Sequence, residues 1–154
     1  MGNIRLRVCA IIIKDGKLLT VKHDDYPFYY LVGGRLEFDE TTEQAVIREV
    51  FEETGYKLEV DRLAIFSEDF FIPNYSDGHS KGQKQHELDF FYVMKGCDVI
   101  NITDKTPTDQ QTESLYWLPI DDLEQFNLVP PYLKTALKKL NDTKEISHIV
   151  RIEA

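Results

Sequence analysis

Apolar and polar positions change their period several times along the chain, and each change marks an element. Ile4 to Ile13 is rich in β-branched residues and reads as a strand. Lys14-Asp15-Gly16-Lys17 then supplies the Asp-Gly turn that joins antiparallel strands, and Leu18 to Lys22 returns. Asp24 to Tyr30 carries Pro27 among four aromatic residues and predicts a loop or a short edge strand, after which Gly33-Gly34 breaks the pattern. From Thr41 to Thr54 the period lengthens: Val46 with Val50 and Ile47 with Phe51 form two i, i+4 pairs on one side of a helix. Thr41 and Gln44 stand at capping-box spacing, and Gly55 suits the left-handed residue just past a helix end.

Leu58 to Glu68 and His86 to Lys95 read as further strands, separated by a polar, Gly-containing loop over 73–85, with a second loop over 96–112. Leu115 to Leu118 predicts a short strand ended by Pro119, and Asp121 to Phe126 a brief helix. Pro130-Pro131 opens a last helix with Leu133, Ala136, Leu137 and Leu140 on its core face, since proline is tolerated in a first turn. Glu145 to Ala154 either adds a strand or frays. Strands, helix, strands, helix is the order of a mixed α/β sandwich, not of alternating βαβ units. A chain of 154 residues without repeats or low-complexity tracts is expected to form one domain over 1–154.

Composition narrows the function classes. With 42% hydrophobic and 12% aromatic residues the chain can bury a substantial core. A net charge of −9 argues against coating polymeric nucleic acid, which needs clustered Lys and Arg to displace counterions. The apolar run Val8 to Ile13 is too short to span a bilayer and lacks a signal-peptide pattern, and Leu6 stands where a myristoylation signal wants Ser or Thr. No membrane partner is expected. Cys9 and Cys97 lie far apart in strand-like contexts and read as buried reduced thiols, so the expected compartment is the cytoplasm.

Charge is concentrated in one place. Glu37 to Glu59 holds eight acids against Arg48 and Lys57, a local balance of −6. At about 100° per residue, Glu49, Glu52 and Glu53 fall within an arc of roughly 100° beside the apolar face. A solvated surface is the plain alternative. Against it, like charges at i, i+3 and i, i+4 repel by roughly 0.2 to 0.5 kcal/mol per pair. The negative end of the helix dipole penalises each by about 0.3 to 1 kcal/mol more. A hard divalent cation offsets both penalties, so the three carboxylates read as a metal site.

The same stretch runs Gly34, five residues, Glu40, seven residues, Arg48-Glu49-Val50, one residue, Glu52-Glu53, one residue, Gly55-Tyr56, and it resembles the Nudix box of MutT-type hydrolases. All residue-specific positions match. The sequence departs from the usual pattern at Tyr56, in place of an aliphatic residue, at Val32, where Pro often stands, and at Asp39, where Gly is common. The resemblance implies a Nudix-type α/β/α sandwich with a mixed sheet, a Nudix loop and helix and a C-terminal helix. It implies a pyrophosphohydrolase cleaving the diphosphate of a nucleotide or nucleoside diphosphate derivative into a nucleoside monophosphate and a phosphorylated remainder. Mg²⁺ is the implied ion and Mn²⁺ the alternative. Glu49, Glu52 and Glu53 would be metal ligands with the carbonyl of Gly34, Arg48 would orient a glutamate, and Glu40 would brace the loop or approach the metal.

Other residues carry less. The general base belongs to the helix glutamates, with Glu87 and Glu113 as outside candidates. Arg7, Arg35 and Tyr30 are the candidates for substrate contact. Arg5 competes as a phosphate ligand, and Tyr26, Phe28 and Tyr29 either stack on a base or pack against the sheet. Lys81 and Lys84 lie in the loop over 73–85. The four histidines show no zinc-ligand spacing, and Trp117 reads as a core anchor. A nucleotide-sensing module without turnover and a diphosphate-ester isomerase are the competing functions, and a homodimer is the assembly such sandwiches often form.

Overall fold

The computed structural model describes residues 2–73 and 82–153. Strand β1 (Ile4–Ile11) is buried on both faces from Val8 onward: Val8 and Ala10 enter one core, Cys9 and Ile11 the other. That double burial is why its sequence reads as a continuous apolar run. The expected single strand through Ile13 is in fact two. The chain changes sheets at the fully buried Ile12, so that β2 (Ile13–Lys14) pairs with β3 (Lys17–His23) through Asp15 and Gly16, both at positive φ. β4 (Tyr29–Leu31) pairs with β3, and β5 (Gly33–Arg35) runs antiparallel to β1.

Helix α1 (Thr42–Thr54) forms with the Thr41–Gln44 capping box intact and Gly55 at φ 78 closing it. β6 (Glu59–Phe71) and β7 (Gln85–Lys95) are a long antiparallel pair, and β7 lies parallel to β1. The segment 96–112 holds a 3₁₀ turn at Cys97–Val99 and the short β8 (Thr106–Pro107), and β9 (Glu113–Pro119) begins two residues before the expected strand. A 3₁₀ segment follows at Ile120–Gln125. Pro130-Pro131 do not open the last helix. α2 spans only Leu133–Lys138, with Tyr132 at its N-cap and Leu133 and Leu137 buried. The chain then adds β10 (Ser147–Ile152), parallel to β6.

The first sheet is mixed, in the order β10-β6-β7-β1-β5, and the second contains β2-β3-β9-β8 with β4 on β3. α1 packs on one face of the first sheet, against Val8, Ala10, Tyr92 and Met94. The opposite face meets Leu18, Leu118, Leu123, Leu133 and Leu137 of the second sheet and the C-terminal segments. This is the α/β/α arrangement expected, with the additional antiparallel sheet unforeseen. Cys9 and Cys97 are free, buried thiols. Trp117 is half-buried at the core margin and donates its indole N–H to the Ile102 carbonyl at 2.7 Å, fastening the 96–112 segment.

Candidate active site

The site begins where β5 crosses β1, with Gly34 opposite Val8 and Gly33 opposite Cys9. Neither glycine needs a positive φ; each needs the absence of a side chain. A Cβ on Gly33 would collide with the Val8 carbonyl, and one on Gly34 with the Glu49 carboxylate. The loop that follows turns at Asp39, whose φ of 67 is left-handed. Glycine is natural at such a position, and Asp is among the few residues that tolerate it, so the departure at Asp39 preserves the loop. Tyr56, the second departure, accepts the Asn101 N–H at 3.0 Å through its hydroxyl. Val32, the third, is completely buried.

Arg48 organises the acids around this loop. Its Nη2 and Nε bind Glu40 at 2.7 and 3.1 Å, and Nη2 also donates to the Arg35 carbonyl at 3.1 Å. Its Nη1 lies 2.8 Å from Glu49, 3.3 Å from Glu52 and 3.6 Å from Glu37. Glu40 in turn accepts the Glu37 backbone N–H at 2.8 Å, so it braces the loop against the helix, and the Arg48 guanidinium holds its carboxyl below the usual range.

The three helix glutamates occupy different environments. Glu53 is half-buried and accepts the Gly33 N–H at 3.0 Å. Burial raises its carboxyl well above the ordinary range against that hydrogen bond, and the charges of Glu49, Glu113 and Asp109 add to the rise. Glu49 is raised too, chiefly by burial, with Arg48 opposing. Glu52 is 45% exposed at its side chain and turns to Arg48. Among the described residues no three His, Cys, Asp or Glu side chains are gathered in a form that could hold a metal ion. Three bare carboxylates repel one another, and the Arg48 guanidinium is the counter-charge between Glu49 and Glu52.

A cleft of about 890 Å³ opens nearby; no helix glutamate lines it, but the Glu53 charge acts on Arg7 and Tyr30 in its wall. Of the three residues singled out in the sequence for substrate contact, Arg7 and Tyr30 line the cleft and Arg35 does not, being exposed at the end of β5. The Tyr30 hydroxyl donates to Glu113 at 2.8 Å, and the charges of Arg7 and Glu113 act on Glu53. Glu87 is also in the wall, 2.7 Å from Arg5. Tyr26 and Phe28 line the cleft with parallel rings 5.5 Å apart, whereas Tyr29 packs edge-on against Tyr116 and Phe126. Lys84 stands 5.8 Å over the Phe70 ring, and Lys81 lies outside the described residues.

The floor of the cleft holds residues that the sequence reading missed. Asp69 and Asp89 line it, 1% and 3% exposed, with Arg151 and, beneath Asp89, Ser67. Their only sequence signal is polar residues two apart inside strands, Arg5 and Arg7, Ser67 and Asp69, Glu87 and Asp89, which places each pair on one face.

The model of the NUDIX domain matches residues 3–140. The chain belongs to the NUDIX family. Family members generally use divalent metals. A MutT-like protein of Streptomyces ambofaciens is 49% identical over 54 residues, a match covering 35% of each chain. The nucleoside triphosphatase NudI of Escherichia fergusonii is 29% identical over 131 residues, covering 80% of this chain and 88% of that protein. A NUDIX hydrolase from Nitrosomonas europaea shares the fold at a TM-score of 0.66 and 20% identity, over 94% of this chain and 93% of its own. A UDP-X diphosphatase does so at 0.62 and 20%, over 98% and 68%. Among the described residues no helix is long and apolar enough to cross a membrane.

Proposed function

We propose that the chain is a Mg²⁺-dependent Nudix pyrophosphohydrolase, a single domain over 1–154 working in the cytoplasm on a nucleotide or nucleoside diphosphate derivative. The observation that carries this reading is the placement of the half-buried Glu49 and Glu53 against the Gly33-Gly34 crossing, with Arg7 between Glu53 and a cleft large enough for a nucleotide. The donor set suits a hard divalent cation: carboxylates of one helix, one of them filling the space that a side chain at Gly34 would take. Glu49, Glu52, Glu53 and the Gly34 carbonyl would hold the ion, Mg²⁺ or alternatively Mn²⁺. It would neutralise charge on the diphosphate oxygens and activate a water.

The chain's own residues do the rest. Arg48 keeps Glu49 and Glu52 in position and ties the loop to the helix through Glu40. Arg7, in the cleft and within reach of the Glu53 charge, is placed to meet the substrate, and Tyr30 borders the same space. Arg35 would meet the phosphate from outside. The base would be one of the helix glutamates, Glu49, Glu52 or Glu53. Glu87 and Glu113 are engaged by Arg5 and Tyr30.

The relative named as a nucleoside triphosphatase and the structural neighbour named as a UDP-X diphosphatase point to different halves of the substrate range, triphosphates and diphosphate-linked groups. A panel of both kinds assayed with Mg²⁺, with products resolved by ion-exchange chromatography, tests the reading. Formation of a nucleoside monophosphate, abolished by EDTA, is expected. Binding without phosphate release would leave a sensing module, and rearrangement without released phosphate an isomerase.

A further inference from the structure

The floor of the cleft is built as two cross-strand rows. Arg5 of β1, Glu87 of β7, Asp69 of β6 and Arg151 of β10 stand directly opposite one another, and Arg7, Asp89 and Ser67 form the next row on the same face. The first row is closed within itself: Arg5 lies 2.7 Å from Glu87, and Arg151 grips Asp69 with two hydrogen bonds of 2.6 and 2.9 Å.

The second row is left open. Among the described residues Asp89 receives one hydrogen bond, from the Ser67 hydroxyl at 3.3 Å, and the nearest Arg7 nitrogen is 4.0 Å away. Ser67 can donate to it because its own oxygen accepts the Tyr132 hydroxyl at 2.7 Å. An ionised carboxylate has about four acceptor positions. A buried one with so few filled is costly unless donors arrive from elsewhere. Across the floor the deficit is reversed, since Arg5 Nε is buried without a partner among the described residues. The cleft therefore presents an under-supplied acceptor in Asp89, the Arg7 guanidinium beside it and aromatic walls in Tyr26 and Phe28.

We propose that Asp89 determines specificity, accepting two adjacent N–H donors from the base of the substrate, the edge that guanine presents with its ring N–H and its exocyclic amino group. The two carboxylate oxygens match such a pair of parallel donors in bidentate fashion. Arg7 or Arg5 then donates to the carbonyl oxygen beside them, completing an acceptor, donor, donor edge. Adenine, cytosine and uracil each present a different order. Burial foremost, with the charges of Glu87 and Asp69 against Arg7 and Ser67, pushes the Asp89 carboxyl up to about 7, as befits a carboxylate short of donors.

This assignment rests on the nucleotide reading above, and guanosine and inosine nucleotides separate the two, since inosine lacks only the amino group. With Mg²⁺, kcat/KM for GTP is expected to exceed that for ITP by about tenfold or more, the size of a lost hydrogen bond to a buried acceptor. Asp89→Asn should lower kcat/KM for both nucleotides, which share the ring N–H, but lower it about tenfold further for GTP, bringing the ratio to within about twofold. Ser67→Ala, which removes only the helper hydroxyl, should narrow the ratio less and serves if Asp89→Asn fails to fold. Equal turnover of GTP and ITP by active wild-type enzyme overturns the assignment and leaves the hydrolase reading intact. If no nucleotide is hydrolysed, calorimetric titration with GMP and IMP decides: a GMP preference abolished by Asp89→Asn keeps the assignment, and equal affinities remove it.

Discussion

The acid cluster on α1 and the acid cluster on the cleft floor solve the same electrostatic problem in opposite ways. On the helix one guanidinium, Arg48, is shared among Glu37, Glu40, Glu49 and Glu52 at distances from 2.7 to 3.6 Å, close to solvent. On the floor each acid of the first row has its own close arginine, whereas Asp89 has a hydroxyl at 3.3 Å and an arginine no nearer than 4.0 Å. A shared cation near water leaves carboxylates available to an added ion. A private cation in a dry setting spends its partner, so the one unspent carboxylate on the floor is the informative one. The difference teaches that availability, more than the number of acids, marks a site.

Substitutions can break this contrast. The largest effect is expected at Glu53: Glu53→Gln should lower Mg²⁺-dependent kcat/KM about a thousandfold, roughly 4 kcal/mol of transition-state stabilisation. Glu52→Gln should remove most turnover too. The melting temperature should hold in both, and in Glu53→Gln it should rise if it changes, because a costly buried carboxyl is removed. Wild-type turnover in both variants would sink the metal-ligand assignment.

Next comes the pH dependence of stability. The folded state holds the Asp89 proton more tightly than the unfolded chain, with the carboxyl pushed from 3.8 up to about 7. The advantage is therefore complete below about pH 4 and lost as pH rises to about 7, on the order of 4 kcal/mol for a group this buried. The groups facing Asp89 are Arg7 on β1, Glu87 on its own strand, Ser67 and Asp69 on β6 and Tyr132 before α2. Denaturant melts of wild type and Asp89→Asn at pH 4, 5.5 and 7 should diverge in this sense, with Asn gaining as pH rises. Parallel curves would contradict it.

Two neighbouring glycines sharpen the comparison between fold and function. Gly33→Ala drives a Cβ into the Val8 carbonyl, which only strand movement relieves, and should cost about 2 to 3 kcal/mol in urea unfolding. Gly34→Ala meets the movable end of Glu49, so stability should change little while activity falls about a hundredfold from the misplaced carboxylate. Equal effects on both measurements in both variants would count against the division. Smallest is Thr41→Ala, which removes the N-cap of α1 and should cost about 1 kcal/mol without altering the pH profile of turnover.

Much of the α1 site was legible before any fold was known because its determinants are local. The capping box, the Gly55 stop and the i, i+3, i+4 spacing of the glutamates all act within a few turns of helix. The break at Ile12 was not legible, since both halves of the run are apolar and only the change of sheet separates them. Pro130-Pro131 misled for a related reason: proline is compatible with a first turn, and tertiary packing of Leu133 and Leu137 placed the start of α2 later. The departure at Asp39 became intelligible once its left-handed backbone was visible.

The amino-acid sequence alone determined the helix, its caps and the order of its acids, because those depend on residues within about four positions of one another and on the helical repeat. It also determined that polar residues two apart in β1, β6 and β7 share a face. Which of those faces meet, and in what register, was decided only by tertiary pairing of strands remote along the chain. That register sets Arg7 opposite Asp89 and Asp89 beside Ser67, and a slip of one residue would send every side chain of the row to the other face. The cleft floor therefore has no local signature, and long-range burial alone leaves one of its carboxylates short of donors.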